Sequence, residues 1–200
     1  MEIYVSIDGV LRNFINRFHY HYEQAYIDVE NTEENTFEYS VSDPIYNDDL
    51  MNYFKFQSKE EFEFFTYIEY PMELFGHSPL SYNGVINDLN KFVYENKDKN
   101  ITLVGLDEYG KARPATFFFL SRHGCMVNNI KFIKTEDISK EWDIADVWIS
   151  DNKKIMDLCP KDKVFKLFKT KYNEYFTSDN VLDKLVENQS DTDIKLLTNI

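Results

Sequence analysis

Runs of apolar residues along the chain predict the strands of a buried sheet. Stretches rich in Val, Ile, Leu and aromatic residues occupy residues 2–7, 101–104, 130–134, 146–150 and 164–168. Between most of them, apolar residues recur three and four positions apart, which is the spacing of a helix packed on one side. Strands that alternate with helices are typical of α/β proteins. We therefore expect a Rossmann-like, doubly wound parallel sheet in a single domain spanning residues 1–188.

The same helical spacing predicts where the helices lie. We expect them at residues 11–29, 48–54, 58–75, 81–97, 111–121 and 179–186. Ser58 and Glu61 form a capping-box pattern before the third of these helices, and Pro71 predicts a kink or break within it. Gly124 is suited to a C-terminal stop. The alternation at residues 37–41 indicates a short extended segment between the first two helices.

Residues 12–80 predict a helical insertion between the first and second strands of the sheet. Aromatic side chains concentrate at residues 47–75. On a helix that turns about 100° per residue, Phe64 lies roughly opposite Phe62 and Phe65, so one domain cannot bury all three. We expect a protein partner or a second copy of the chain to cover this segment. Residues 189–200 are expected to form a tail, either loose or docked on a partner.

Composition and charge narrow the possible function. Hydrophobic residues make up 43% of the chain, which is too many for a disordered protein. The net charge of −13 disfavours a nucleic-acid surface, which needs clustered Lys and Arg. No membrane-length apolar span and no signal peptide is evident, which predicts a cytoplasmic or virion protein. The two cysteines and four histidines show no disulfide framework or zinc motif.

The segment Ser6-Ile7-Asp8-Gly9-Val10 follows an apolar run near the N-terminus and places polar groups at the end of a strand. It resembles the first motif of the haloacid dehalogenase-like (HAD) superfamily, in which a strand ends in Asp-x-Asp-Gly-(Thr/Val). In that family the first Asp is the nucleophile and the second is the general acid. Here Ser6 stands at the nucleophile position and Asp8 at the general-acid position. A serine needs a neighbouring base to attack phosphorus, and the motif supplies none.

The resemblance continues along the chain with further departures. The family's second strand ends in a Ser or Thr that binds the phosphoryl group, whereas the run at residues 101–104 is followed by Gly105 and Leu106. The third motif of the family is a lysine, for which Lys134 or Lys131 is the candidate. The first and second motifs therefore each lack a residue that the family's chemistry uses.

The fourth motif of the family is a pair of acids at the end of a strand. The run at residues 145–149 leads to Asp151, and one acid of the pair is replaced by Ser150 or Asn152, depending on the register. The resemblance, closest to small 5'-nucleotidase-like members, implies a HAD-like fold with a helical cap at residues 12–80. It further implies that Asp8 and Asp151 bind Mg²⁺ weakly if they bind any cofactor.

These departures predict a protein that keeps the scaffold without the chemistry. With a degenerate site at Ser6, Asp8, Gly105 and Lys134, we expect no catalytic residues and a pseudoenzyme that serves as a structural or protein-interaction subunit. The residue usage is that of an AT-rich genome, which suggests a bacteriophage virion component. Two alternatives remain. One is a divergent Mg²⁺-dependent phosphohydrolase or nucleotidase in which water attacks near Asp8 and Asp151. The other is a phosphate- or nucleotide-binding module without turnover.

Overall fold

The computed structural model describes residues 1–27, 50–54, 56–170, 172–173 and 176–185. Six strands in these ranges form one sheet in which every neighbouring pair is parallel. They are β1 (Glu2–Ser6), β2 (Asn100–Leu106), β3 (Ile130–Ile133), β4 (Val147–Ser150), β5 (Val164–Phe168) and β6 (Val181–Leu182). Their order across the sheet is β3-β2-β1-β4-β5-β6, which is consistent with a Rossmann-like fold. The predicted α/β class and parallel sheet are confirmed.

Seven α-helices accompany the sheet in the described parts of the chain. They are α1 (Phe14–Tyr22), α2 (Leu50–Tyr53), α3 (Lys59–Phe64), α4 (Val85–Glu95), α5 (Arg113–Arg122), α6 (Ile138–Trp142) and α7 (Lys153–Asp157). Short π-helical segments follow α1 at Glu23–Ile27 and α3 at Phe65–Glu69, with another at Met72–Gly76, and a 3-10 turn spans Thr135–Asp137. None of the helices in these ranges is long and apolar enough to cross a bilayer.

Helices cover both faces of the sheet, because side chains in a strand alternate between them. On one face, residues such as Ile3 and Leu103 pack with the buried side chains of α4 and α5. On the other, Tyr4 and Trp148 pack with those of α6 and α7. All four side chains are at most 2% exposed. The sheet is therefore buried on both sides, which is why its strands have nearly continuous apolar sequences.

The chain leaves the sheet after β1 and returns to it beside its point of departure. The Asn13 amide donates to the Pro79 carbonyl at 2.8 Å, and the Ser81 amide donates to the Leu11 carbonyl at 3.0 Å. Arg12 and Leu80 form an antiparallel bridge between these bonds. The intervening segment thus begins and ends at one two-stranded stem, which lies next to the carboxyl end of β1.

A second hydrophobic core, which we call the aromatic cluster, lies between this stem and α5. Its buried members are Phe14, Ile15, Phe18, Tyr22, Leu50, Phe54, Phe65, Leu74, Phe75, Ala112 and Ala115. Phe18 is at its centre, with ring centroids 4.8 Å from Phe54 and 5.3 Å from Phe65. Most of the aromatic residues described in the 47–75 segment pack against one another here, while Phe64 is 55% exposed.

Several boundaries differ from those predicted. The helix predicted at 58–75 ends as α3 at Phe64 and continues as two π-helical segments, with the chain breaking near Pro71 as expected. Ser58 caps α3 by accepting from the Glu61 amide at 3.1 Å, whereas the Glu61 carboxylate accepts from the Gln57 amide rather than from Ser58. Gly124 follows α5 with a positive φ of 70°, as a helix stop requires.

The closing helix predicted at 179–186 is wrong in its described part. Val181 and Leu182 form β6, which pairs with the end of β5 in the register Leu167 to Val181. Pairing with an existing sheet edge therefore outweighs the local helical spacing at these residues. The extended segment predicted at 37–41 and the tail at 189–200 lie outside the described residues.

Candidate functional site

The carboxyl ends of β1 and β4 meet at the point where the strand order reverses, which is where open α/β sheets form ligand crevices. A cavity of about 310 Å³ lies here, between the sheet edge and the aromatic cluster. Ser6 and Asp8 line it from β1 and the following loop, and Ser150 and Asp151 line it from the end of β4. The fold therefore brings Ser6, Asp8 and Asp151 together, as the sequence predicts.

Ser6 is held in a chain of hydrogen bonds across the sheet. Its hydroxyl accepts from the Trp148 indole Nε1 at 3.1 Å and donates to the Ser150 hydroxyl at 2.8 Å. Ser150 Oγ also accepts from the Asn152 backbone amide at 3.2 Å. Ser6 is 7% exposed and Ser150 is fully buried, so these bonds replace water for both hydroxyls.

Among the described residues, the hydrogen-bond partners of Ser6 include no base. A serine nucleophile requires a neighbouring group that takes its proton. In the hydrogen bond to Ser150, the Ser6 proton points at another hydroxyl oxygen, and a neutral hydroxyl is far too weak a base to take it. No His, Asp or Glu in the described ranges hydrogen-bonds to Ser6. In this geometry the Ser6 hydroxyl connects β1 to β4.

Asp8 is engaged by a guanidinium group. Arg12 Nε lies 2.5 Å from Asp8 Oδ1, and Arg12 Nη2 lies 3.2 Å from Asp8 Oδ2. The side chain of Arg12 is 1% exposed and that of Asp8 is 23% exposed. Such a two-bond pair fixes the orientation of the carboxylate and neutralises it at the cavity wall.

Arg12 also joins three parts of the molecule. Its Nη1 donates to the Phe75 carbonyl at 2.7 Å and to the Thr116 hydroxyl at 3.0 Å. The guanidinium carbon lies 5.0 Å from the centre of the Phe75 ring, within the range of a cation–π contact. The loop after β1, the aromatic cluster and α5 therefore share this one buried cation.

Asp151 packs against the backbone of the loop after β1. Gly9 has a φ of 78°, and a Cβ placed on it would lie 1.9 Å from both Cγ and Oδ2 of Asp151. No side chain fits in that space, and the positive φ disfavours other residues as well. Glycine at this position thus permits the loops after β1 and β4 to touch.

Gly105 does not reach the cavity wall. A Cβ on this residue would lie 3.0 Å from the ring of Phe132, its pairing partner in β3, so the Phe132 ring covers this position. Its neighbours Val104 and Leu106 line the cavity instead. Both are apolar, so the end of β2 offers no side-chain hydroxyl to a phosphoryl group.

Lys134 also lies outside the cavity lining. Its side chain is 54% exposed and its Nζ is 3.6 Å from Glu136 Oε1. Lys131, the other candidate, forms an ion pair with Glu141 on the face that carries Tyr4. Among the described residues, Lys154 of α7 is the lysine that lines the cavity.

Other lining residues were not identified from the sequence. Phe14, Phe62, Tyr67 and Phe75 enter the wall from the aromatic cluster, and Glu108 enters it from the loop after β2. Their position in the cavity wall depends on how the chain returns to the sheet at the stem, and no local sequence pattern predicts that return. Arg12 offered one signal, because it follows Asp8 by four residues, a spacing at which opposite charges often pair.

The residues present do not fit a magnesium centre. Arg12 donates to both oxygens of Asp8, and the described residues contain no group of three His, Cys, Asp or Glu side chains placed to hold a metal. A small divalent cation keeps several waters and needs strong charge compensation from its carboxylates. A cation at this position would have to compete with the Arg12 guanidinium for Asp8.

Comparisons with known proteins do not extend this description: no protein-family model matches the chain, and none of the curated proteins does.

Proposed function

We propose that this chain is a catalytically inactive HAD-like protein that acts by binding another protein rather than by phosphoryl transfer. One observation carries the proposal. At the position where the HAD nucleophile would stand, Ser6 has its hydroxyl bound between Trp148 and Ser150. Loss of a catalytic nucleophile removes several kcal/mol of transition-state stabilisation.

The order of elements supports a HAD-like origin. Most residues of the aromatic cluster come between β1 and β2 along the chain, and the stem at residues 11–13 and 79–81 joins that segment to the sheet. That is the place of a cap in the family that the opening motif resembles. Ser6, Asp8 and Asp151 line the cavity beneath it in the order of the first and last motifs.

The lining also disfavours a phosphoryl group. Lys154 is the one basic residue among the described residues of the wall, whereas Asp8, Glu108 and Asp151 are acidic. A phosphate monoester needs donors and cations around its oxygens. Arg12 is near but already donates to Asp8, Phe75 and Thr116.

A turnover assay tests the loss of chemistry. Nucleoside monophosphates and p-nitrophenyl phosphate are incubated with the purified protein and Mg²⁺, and release of phosphate is measured. We expect none above the buffer control. Turnover of about one per second or more that is abolished by Asp8→Asn would overturn the proposal and favour a divergent phosphohydrolase.

An exposed apolar stripe supports a protein partner. Phe64, Ile68 and Met72 recur every four residues and are 55%, 50% and 37% exposed. A Cβ on Gly76 would lie 3.0 Å from Met72 Sδ and 3.2 Å from the Phe118 ring, so the stripe is continuous with the exposed Phe118 of α5. Contiguous apolar surface of this kind marks interaction sites more often than scattered apolar residues do.

The double variant Phe64→Glu/Ile68→Glu tests this surface. We expect it to keep its fold and to lose self-association or partner capture, measured by light scattering and by pull-down from the native source. The matched control is Met126→Glu/Ile144→Glu, which charges two exposed apolar residues outside the stripe (73% and 52% exposed). If the stripe variant keeps every association of the wild type, the stripe is not the interface.

A further inference from the structure

The cavity of about 310 Å³ has the size of a small-molecule site, since such sites begin at roughly 300 Å³. Its walls differ in chemistry. The aromatic cluster contributes the rings of Phe14, Phe62, Tyr67 and Phe75, while the sheet edge and its loops contribute carboxylates. The cavity therefore combines an aromatic wall with an acidic one.

Glu108 is a carboxylate of this cavity wall, and it also lines the neighbouring cavity that carries Arg113, Lys131 and Lys134. Its Oε1 accepts from the Thr135 backbone amide at 2.8 Å. No Lys or Arg in the described ranges forms an ion pair with it, in contrast to Asp8, which pairs with Arg12, and Asp107, which pairs with Arg113. Its charge is thus available to a ligand.

Nearby carboxylates act on the Tyr67 phenol in the cavity wall. Burial raises the pKa of this phenol, and the charges of Asp107, Asp8 and Glu108 raise it further. Negative charges that oppose an anion at Tyr67 favour a cation there by the same interaction.

Thr66 adds a buried polar group that lacks a hydrogen-bond partner. The residue lines the cavity and is 1% exposed, and its hydroxyl bonds to no described residue. A buried hydroxyl without a partner destabilises the protein, so such groups are commonly satisfied by a ligand or water. A hydroxyl can accept a hydrogen bond from an ammonium group.

We infer that the cavity binds a small organic cation, a primary ammonium on an aromatic or aliphatic body. The ammonium group would donate to Glu108 and Thr66, and the rings of Phe62 and Tyr67 would hold the apolar body and attract the charge. This inference goes beyond the proposed function, which assigns the cavity no ligand.

Three probes of matched shape test the inference. They are 2-phenylethylammonium, the neutral 2-phenylethanol and the anionic 2-phenylethyl phosphate, each titrated into the full chain by calorimetry or by chemical-shift perturbation. We expect the ammonium to bind about tenfold or more tighter than the alcohol, which corresponds to about 1.4 kcal/mol. Equal binding of the two, no binding of either, or tightest binding of the phosphate would overturn it.

Variants locate the binding to this cavity. Glu108→Gln keeps an oxygen that can accept from Thr135 but removes the charge, and should weaken the ammonium about tenfold without changing the alcohol. The control is Glu136→Gln, whose carboxylate is 74% exposed on the neighbouring turn and should have no effect. An ammonium that binds equally well to Glu108→Gln is adventitious, and the inference fails. The comparison of the three probes on the wild type does not depend on either variant folding.

The same probes separate this inference from the proposed function. Hydrolysis of 2-phenylethyl phosphate in the presence of Mg²⁺ would refute the proposal that the protein is catalytically inactive. The binding measurements with the ammonium would still decide whether the cation site exists. Failure of the ammonium to bind would refute the cation site but would not affect the proposal that the protein is catalytically inactive.

Discussion

The sheet and the aromatic cluster are two cores built in different ways. In the sheet, parallel backbone pairing sets the position of each strand, and buried side chains such as Val5 and Leu103 fill both faces. In the aromatic cluster, short helices and π-helical segments are held by contacts between rings around Phe18. The first core has a backbone frame that specifies it, whereas the second depends on its side chains. Arg12 is a buried polar connection between them.

The largest expected effect comes from removing that connection. Arg12→Met should destabilise the protein by about 3–5 kcal/mol, because it leaves Asp8 without its cation and the Phe75 carbonyl and Thr116 hydroxyl without a donor. Denaturant unfolding measures the change. Arg12→Lys keeps the charge but cannot make the same set of bonds, and should recover only part of the loss.

Truncation of one large side chain in each core tests whether the two unfold together. Phe18→Ala and Leu103→Ala should each cost about 3 kcal/mol, since both side chains are fully buried. Amide exchange then tells them apart. We expect Phe18→Ala to speed exchange in α1 while β1 and β2 stay protected, and Leu103→Ala to speed exchange everywhere. Uniform acceleration in both variants would mean one cooperative unit.

Gly9→Ala is expected to cost about 2 kcal/mol or more. It combines backbone strain at a positive φ with a clash against the Asp151 carboxylate. Gly84→Ala is the matched control, because Gly84 also has a positive φ, of 95°, but has nothing within 4 Å of an added Cβ. The control should lose only about 1 kcal/mol. Equal losses of stability in the two variants would show that the Asp151 side chain can move aside at little energetic cost.

The smallest effect is a pH dependence of the aromatic cluster. Burial, and next the nearby Arg17, lower the pKa of His21, while Glu73 opposes them. A histidine with a lowered pKa contributes stability that is present above its ordinary pKa of about 6.5 and is lost as the pH falls through its folded value. His21→Phe keeps a ring against Tyr70 and should flatten this loss, measured by urea unfolding between about pH 7 and pH 5.

His123 provides the counterpart on the sheet side. Burial and Arg122 lower its pKa, and its ring lies 4.9 Å from that of Phe119. Amide exchange measured separately in α1 and in α5 as the pH is lowered therefore distinguishes the effect of His21 from that of His123. An unchanged pH profile in His21→Phe would assign the acid sensitivity elsewhere.

The same contrast explains what the sequence could and could not predict. β5 was predicted with correct bounds, because Val164–Phe168 is an isolated apolar run that needs no distant partner to be recognised. β6 was missed, because Val181 and Leu182 become a strand only through pairing with β5. Ser6, Asp8 and Asp151 could be placed at the cavity since parallel strands end at one edge. Lys134 could not, because its side chain is 54% exposed and turns to Glu136, although the next residue, Thr135, lines the cavity.

Local sequence patterns predict only part of the aromatic wall of the cavity. Helical spacing identifies Phe62 and Phe65 as one stripe, and both do belong to the aromatic cluster. It does not say that Phe62 and Tyr67 also face the end of β1, because that depends on how the stem returns the chain to Arg12.

The position of β1 inside the sheet has a consequence for synthesis of the protein. β1 is made before the other five strands, yet its two neighbours begin at residues 100 and 147. At about 5–20 residues per second, several seconds separate the appearance of β1 from that of β2. During that interval Ile3 and Val5 lack the two strands that flank them in the described sheet. Folding on the ribosome is therefore delayed until the second half of the chain appears, and long-range parallel pairing makes it slow and prone to aggregation.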